Sequence, residues 1–146
     1  MASNVQCNFK FIGAKTMFFV VKVLQISVAL GLLNVWLLRF NKSTSYRGGK
    51  ATSMKQEFAT YGLPGWVCYL VGTLKVAAAI VLIVGLWFPV LAFPSAALVA
   101  ILMVGALAMH FKISDPLPKS LPAAAVLVAS LVICAGTYGG VVANMR

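Results

Sequence analysis

Residues 66–87 read WVCYLVGTLKVAAAIVLIVGLW, an apolar run whose sole charge is Lys75. A run of about twenty such residues is what an α-helix needs to cross the ~30 Å hydrocarbon core of a bilayer. Stretches 17–38, 90–111 and 121–143 have the same length and character. The only Lys, Arg, Asp, Glu or His inside those three are Lys22 and His110. The sequence therefore predicts an all-α membrane protein, a four-transmembrane-helix bundle forming one domain over 1–146.

Composition agrees. The chain is 62% hydrophobic and 10% charged, against about a quarter charged for a soluble protein. Twelve Lys and Arg face two acids, Glu57 and Asp115, for a net charge of +10. In another setting that charge would mark a nucleic-acid binder. Here the basic residues flank apolar spans, where they meet anionic lipid heads, so membrane lipids are the expected partners and nucleic acid is not. The first apolar stretch is too long for a signal-peptide core and has no A-x-A site after it. It is expected to remain as the first membrane helix.

Little in the chain suggests metal or thiol chemistry. Cys7, Cys68 and Cys134 share no C-x-x-C spacing, and such chemistry needs two or more thiols held together. His110 is the only histidine, which rules out a bis-histidine haem or a multi-histidine metal site built from one chain. A single axial bond to a haem or chlorophyll-like pigment is the one such role left to it. A hydrogen bond to the adjoining loop is the simpler role.

With four spans, the termini and the Phe88–Pro89 turn share one side of the membrane, and the loops at 39–65 and 112–120 share the other. The loop side carries Arg39, Lys42, Arg47, Lys50, Lys55, Lys112 and Lys119; the other side carries Lys10, Lys15 and Arg146. The positive-inside rule then places the 39–65 loop in the cytoplasm or its organelle equivalent. A bacterial inner membrane and an organelle membrane both fit. Trp36, Trp66, Tyr69 and Trp87 fall near span ends, where aromatic rings anchor at the headgroup level.

The 39–65 loop holds a short amphipathic helix over 53–61. Ser53 and Gln56 have capping-box spacing, Met54, Phe58 and Tyr61 form one apolar stripe, and Gly62 and Pro64 supply a stop. A stripe this narrow suits docking against the bundle. Asp115 before Pro116 and Ser120 before Pro122 are competing N-caps for the fourth helix. Four pairs of small residues allow close helix approach: Ser27/Gly31, Ala96/Ala100, Ala125/Ala129 and Gly136/Gly140.

Polar residues inside the spans need a reason. Lys22 is near enough to the end of its span to snorkel to the surface. Gln25 and Asn34 can bond between helices or, with Lys75, line a ligand pocket. Lys75 lies near the midplane. It either snorkels, or it serves a buried pair or a bound group, and Asp115 is the better acid for such a pair if the 112–120 loop folds inward. Because the two loops share a side, His110, Asp115, Glu57, Arg47 and Lys50 gather on one surface, and with Lys75 the first four form the candidate functional or ion-pair cluster. No paired acids, thiol pair or nucleotide loop marks a catalytic residue.

Phe58, Gly62 and Pro64, then Gly72 and Gly85, then His110 with Asp115-Pro116-Leu117, together resemble the DoxX-like family of small four-helix membrane proteins. The likeness covers roughly 17–140, and its last group also resembles the branch containing membrane chaperones of nicotinic receptors. Many relatives carry a carboxylate in the G-x-x-E context of span two, whereas Gly72-Thr73-Leu74-Lys75 ends in lysine. The family name comes from association with a quinol-oxidising terminal oxidase. The resemblance implies an accessory or assembly subunit within a larger membrane complex, respiratory or photosynthetic, more than a stand-alone enzyme. The rival reading is a quinone-, lipid- or pigment-binding protein linked to an oxidoreductase, with Gln25, Asn34, Lys75 and His110 as polar contacts.

Overall fold

The structure, a computed structural model, describes the backbone of residues 2–144 and the side chains of residues 15–138. Five α-helices follow in order: α1 (Ala2–Leu33), α2 (Met54–Thr60), α3 (Gly65–Val84), α4 (Ala92–Lys112) and α5 (Leu117–Asn144). A π-helical turn, Asn34–Leu38, extends α1, and a 3-10 turn, Pro89–Leu91, leads into α4. Among the described residues, four segments are long and apolar enough to cross a membrane: Lys15–Leu38, Gly65–Val84, Pro89–Lys112 and Leu117–Tyr138. The chain is thus an integral, multi-pass helical bundle.

Helix ends differ from the apolar runs in three places. α1 begins at Ala2 rather than near 17, because hydropathy marks where the bilayer starts and not where the helix does. α3 closes at Val84, where Gly85 lies so close to α4 that an added Cβ would stand 3.2 Å from Ala92. α5 starts at Leu117 and carries Pro122 inside it. Ser120 is therefore a buried helical residue and not a cap. Pro122 is the sixth residue of α5, so its missing N–H removes one ladder bond, the one to the Pro118 carbonyl.

α1 packs on α3 and α5, and α4 packs on the same two, so α1 and α4 face each other across the bundle. Their shared core holds Val28, Ala29 and Leu32 of α1, Ala79 and Leu82 of α3, Val99 and Met103 of α4, and Ile133 of α5. Of the small-residue pairs, Ala96 and Ala100 are buried, and a side chain at Gly136 would run into Val21. Ser27, Gly31 and Ala125 are exposed and serve no packing between these helices. Cys7, Lys10, Gly140 and Arg146 lie outside the residues whose side chains are described.

Gln25 is buried and donates from Nε2 to the Leu82 carbonyl at 3.5 Å, a polar link between α1 and α3. The Lys22 ammonium sits 4.5 Å over the Phe18 ring, one turn toward the start of its span. Trp66, Tyr69 and Trp87 stay exposed at span ends. Trp36 does not: its ring is buried against Gly72, where an added Cβ would come within 2.6 Å of it. The wide turn that ends α1, closed by Arg39 N–H to the Asn34 carbonyl at 3.0 Å, accompanies this inward placement.

Candidate functional site

The 39–64 segment does not lie loosely on the membrane surface. It folds over the loop end of the bundle, and α2 docks with Met54, Glu57 and Tyr61 turned inward. Ser53 Oγ accepts the Gln56 N–H at 3.3 Å as a cap. The reciprocal arm goes elsewhere, since Gln56 Oε1 accepts from the Thr52 N–H at 2.9 Å. The helix then ends in a Schellman turn: Gly62 adopts φ +77°, Leu63 N–H bonds to the Phe58 carbonyl at 2.9 Å, and Gly62 N–H to Ala59 at 3.0 Å. Lys112 donates to the Tyr61 carbonyl at 2.9 Å and ties this end to α4.

Arg47 clamps the segment down. Its guanidinium pairs with Glu57 Oε2 at 3.0 Å and donates to the carbonyls of Arg39, Phe40 and Lys42. Those carbonyls cluster just past the end of α1, where the helix dipole favours a cation. Glu57 Oε1 accepts the Gly48 N–H at 2.8 Å and the Tyr61 hydroxyl at 2.9 Å. Burial first, then the Glu57 charge and its hydrogen bond, push the Tyr61 phenol far above its ordinary pKa. It stays protonated and keeps donating.

A second carboxylate completes the lid. α4 also ends in a Schellman turn, with Ser114 at φ +54° in the position usually given to glycine. Ser114 N–H bonds to Phe111 and Asp115 N–H to the His110 carbonyl, each at 3.0 Å. That reversal brings the Asp115 carboxylate back onto the His110 ring, where Nδ1–H donates to Oδ2 at 2.8 Å, the proton being assigned from the network. Asp115 Oδ1 accepts the Gly49 N–H at 2.9 Å, and Lys119 Nζ lies 3.5 Å from it. Lys119 also donates to the Gly49 carbonyl. Burial opposes ionisation of Asp115, but the bonds from His110 and Gly49, aided by Lys119, outweigh it and hold the carboxyl below its ordinary range. Gly49 has φ +59°, a left-handed conformation glycine adopts without strain, and successive amides of Gly48 and Gly49 thereby reach two different carboxylates.

Asp115 is thus neither the N-cap of α5 nor the partner of Lys75. Arg47, Glu57, His110 and Asp115 do come together, joined by Tyr61 and the two glycines. The Tyr61 and His110 rings meet edge-on at 5.8 Å. Lys50 remains exposed outside this network.

Beneath the lid lies a cavity of about 520 Å³. Its walls come from α1, α3, α4 and α5, and its roof from Arg47, Met54, Glu57, Phe58 and Tyr61. Lys75 and Asn34 line it; Gln25 does not. Lys75 is only 8% exposed. Side chains on a helix lean toward its N-terminus, which for α3 is the loop end, so Lys75 leans beneath the lid. Its ammonium stands 5.3 Å over the Trp36 ring. A separate groove of about 470 Å³ between the end of α1 and α3 has no Lys, Arg, Asp, Glu or His in its lining.

The network and the cavity both fall within residues 23–134, the part of the chain matched by the model of the DoxX-like family. The chain belongs to the DoxX-like family. No curated protein and no solved structure matches it significantly. In this DoxX-like protein, sequence reasoning gathered Arg47, Glu57, His110 and Asp115 on one side and missed what joins them, Lys119 included. Tyr61 reads as part of an apolar stripe and Trp36 as a headgroup anchor, and Gly48 and Gly49 carry no assigned role. The Gly-Gly pair directly after Arg47 was the available signal for amides turned toward an acid. Nothing in one sequence marks Gly72 as the seat of Trp36.

Proposed function

We propose that this DoxX-like protein is an accessory membrane subunit whose own contribution is to hold an amphiphile, a quinone or a lipid, inside its bundle. The observation that carries the reading is the cavity under the lid. At about 520 Å³ it matches the roughly 300–1,000 Å³ of small-molecule sites, which are mostly apolar with a few convergent polar groups. Here apolar walls such as Val71, Met103 and Ala106 surround Lys75, Glu57, Tyr61 and His110. Gly31 and Gly105 line the cavity, are exposed, and have open space where a side chain would stand. That gap suits a tail passing to the bilayer. Residues 39–65 and the lid they form are assigned to the cytoplasmic side on the excess of basic residues there. The accessory role rests on the family, and a carrier packed against a redox or assembly complex would join both parts of the reading.

Native mass spectrometry after gentle extraction should show a retained quinone or lipid. Gly31→Phe, which places a ring where the structure leaves space, should remove it with little change in thermal midpoint. An adduct that survives this substitution, or a wild-type protein that never carries one, would sink the reading. Co-migration with partner proteins in mild detergent tests the accessory role.

A further inference from the structure

We infer that the cavity takes an anionic amphiphile, with a phosphate or carboxylate headgroup held by Lys75. The inference rests on the cavity-binding reading above and specifies its ligand. The sequence contains two acids, Glu57 and Asp115, and both are committed elsewhere. Glu57 serves Arg47, Gly48 and Tyr61; Asp115 serves His110, Gly49 and Lys119. Among the described residues Lys75 makes no ion pair and no hydrogen bond, and its one marked contact is the face of Trp36 at 5.3 Å.

An ammonium more than nine-tenths buried in a membrane bundle is costly without an anion beside it. Glu57, the one acid that borders the cavity with Lys75, is already paired with Arg47, and the cavity supplies the room for a further anion. The lining has the matching sign. Of the charged residues that border the cavity, Glu57 is balanced by Arg47 and Lys119 by Asp115, which leaves Arg39 and Lys75 in excess. A neutral ligand would leave the Lys75 charge uncompensated, whereas an anionic headgroup would accept its hydrogen bonds at charge-assisted strength. The rest of the ligand fits the same geometry. The lining includes apolar walls and the exposed Gly31 and Gly105, beside which a hydrocarbon tail has room.

The test uses delipidated full-length protein in neutral detergent, titrated with sodium oleate, dioleoyl phosphatidylglycerol and a short-chain ubiquinone, with binding read by native mass spectrometry. Lys75→Met and Lys75→Gln should weaken both anionic probes about tenfold or more, the loss of one charge-assisted contact. Lys75→Arg should largely restore them, and the exposed Lys55→Met should leave them unchanged. Tighter phosphatidylglycerol would assign the headgroup to a phospholipid, tighter oleate to a fatty acid, and either supports the inference. Anionic binding that survives Lys75→Met and Lys75→Gln, or that Lys55→Met weakens as much, overturns it. If those variants change nothing but Gly31→Phe still expels ubiquinone, the anionic assignment falls while the cavity reading stands. If Gly31→Phe affects no probe, the cavity reading falls as well.

Discussion

Glu57→Ala should destabilise the protein by about 3–5 kcal/mol, the cost of stripping one partner from a buried ion pair. Glu57 and Arg47 have side chains 11% and 5% exposed, so water cannot replace the lost carboxylate. The substitution also leaves the Gly48 amide and the Tyr61 hydroxyl without their acceptor. The damage should concentrate in the lid, because the helices of the core do not depend on Glu57. Thermal unfolding in detergent, followed by near-ultraviolet circular dichroism, would report the drop in midpoint. Hydrogen exchange would show residues 48–61 losing protection before the spans do. The double variant Arg47→Met/Glu57→Leu should recover part of the loss, since an apolar pair can replace a buried ionic one. Recovery stays incomplete because the Lys42 carbonyl loses its donor and the carbonyls of Arg39 and Phe40 keep only their backbone partners. A wild-type midpoint for Glu57→Ala would mean the lid is not held as described.

Asp115→Ala should cost about 3 kcal/mol at neutral pH, taking two hydrogen bonds to a charged group at about 1.5 kcal/mol each, from His110 and from Gly49. The same carboxylate makes the wild type acid-sensitive in a defined direction. Its folded pKa is lowered from an ordinary value of 3.8. The native state therefore binds this proton less tightly than the unfolded chain does, and the contribution is complete above the ordinary value. It is lost as pH falls from there through the lower folded value. The wild-type melting midpoint should decline below about pH 4, and Asp115→Asn should flatten that part of the profile. Profiles of equal slope in the two proteins would show that Asp115 is not held as the geometry indicates.

How far these features could be read in advance depended on range. Four spans follow from a bilayer's thickness acting on single residues, so any sufficiently apolar run reveals them. The docked α2 was legible for a similar reason, since Met54, Phe58 and Tyr61 recur at helical spacing. Helix ends were less legible. α5 starts before its apolar run because Ser114 reverses the chain early, and a serine in that conformation carries no sequence flag. That Arg47, Glu57, His110 and Asp115 share a side was legible from loop sidedness alone, but their pairing was not. Asp115 looked like a partner for Lys75 until the turn at Ser114 turned it onto His110. Contacts between residues far apart in sequence, such as Trp36 on Gly72 and Gly49 on Asp115, depend on how helices pack, and no local pattern encodes them.

Lys75 is where these two levels meet. Its position near the midplane is readable from the sequence; its lack of a counter-ion becomes visible only once both acids are seen to be occupied. The most direct measurement is photolabelling of the membrane-embedded protein with a diazirine-bearing fatty acid, mapped residue by residue. The label should fall on cavity residues such as Val71, Met103 and Ala106, and excess oleate should compete it away. Labelling confined to outward-facing Phe19, Leu70 and Trp87, or labelling that oleate does not compete, would contradict an occupied site beneath the lid.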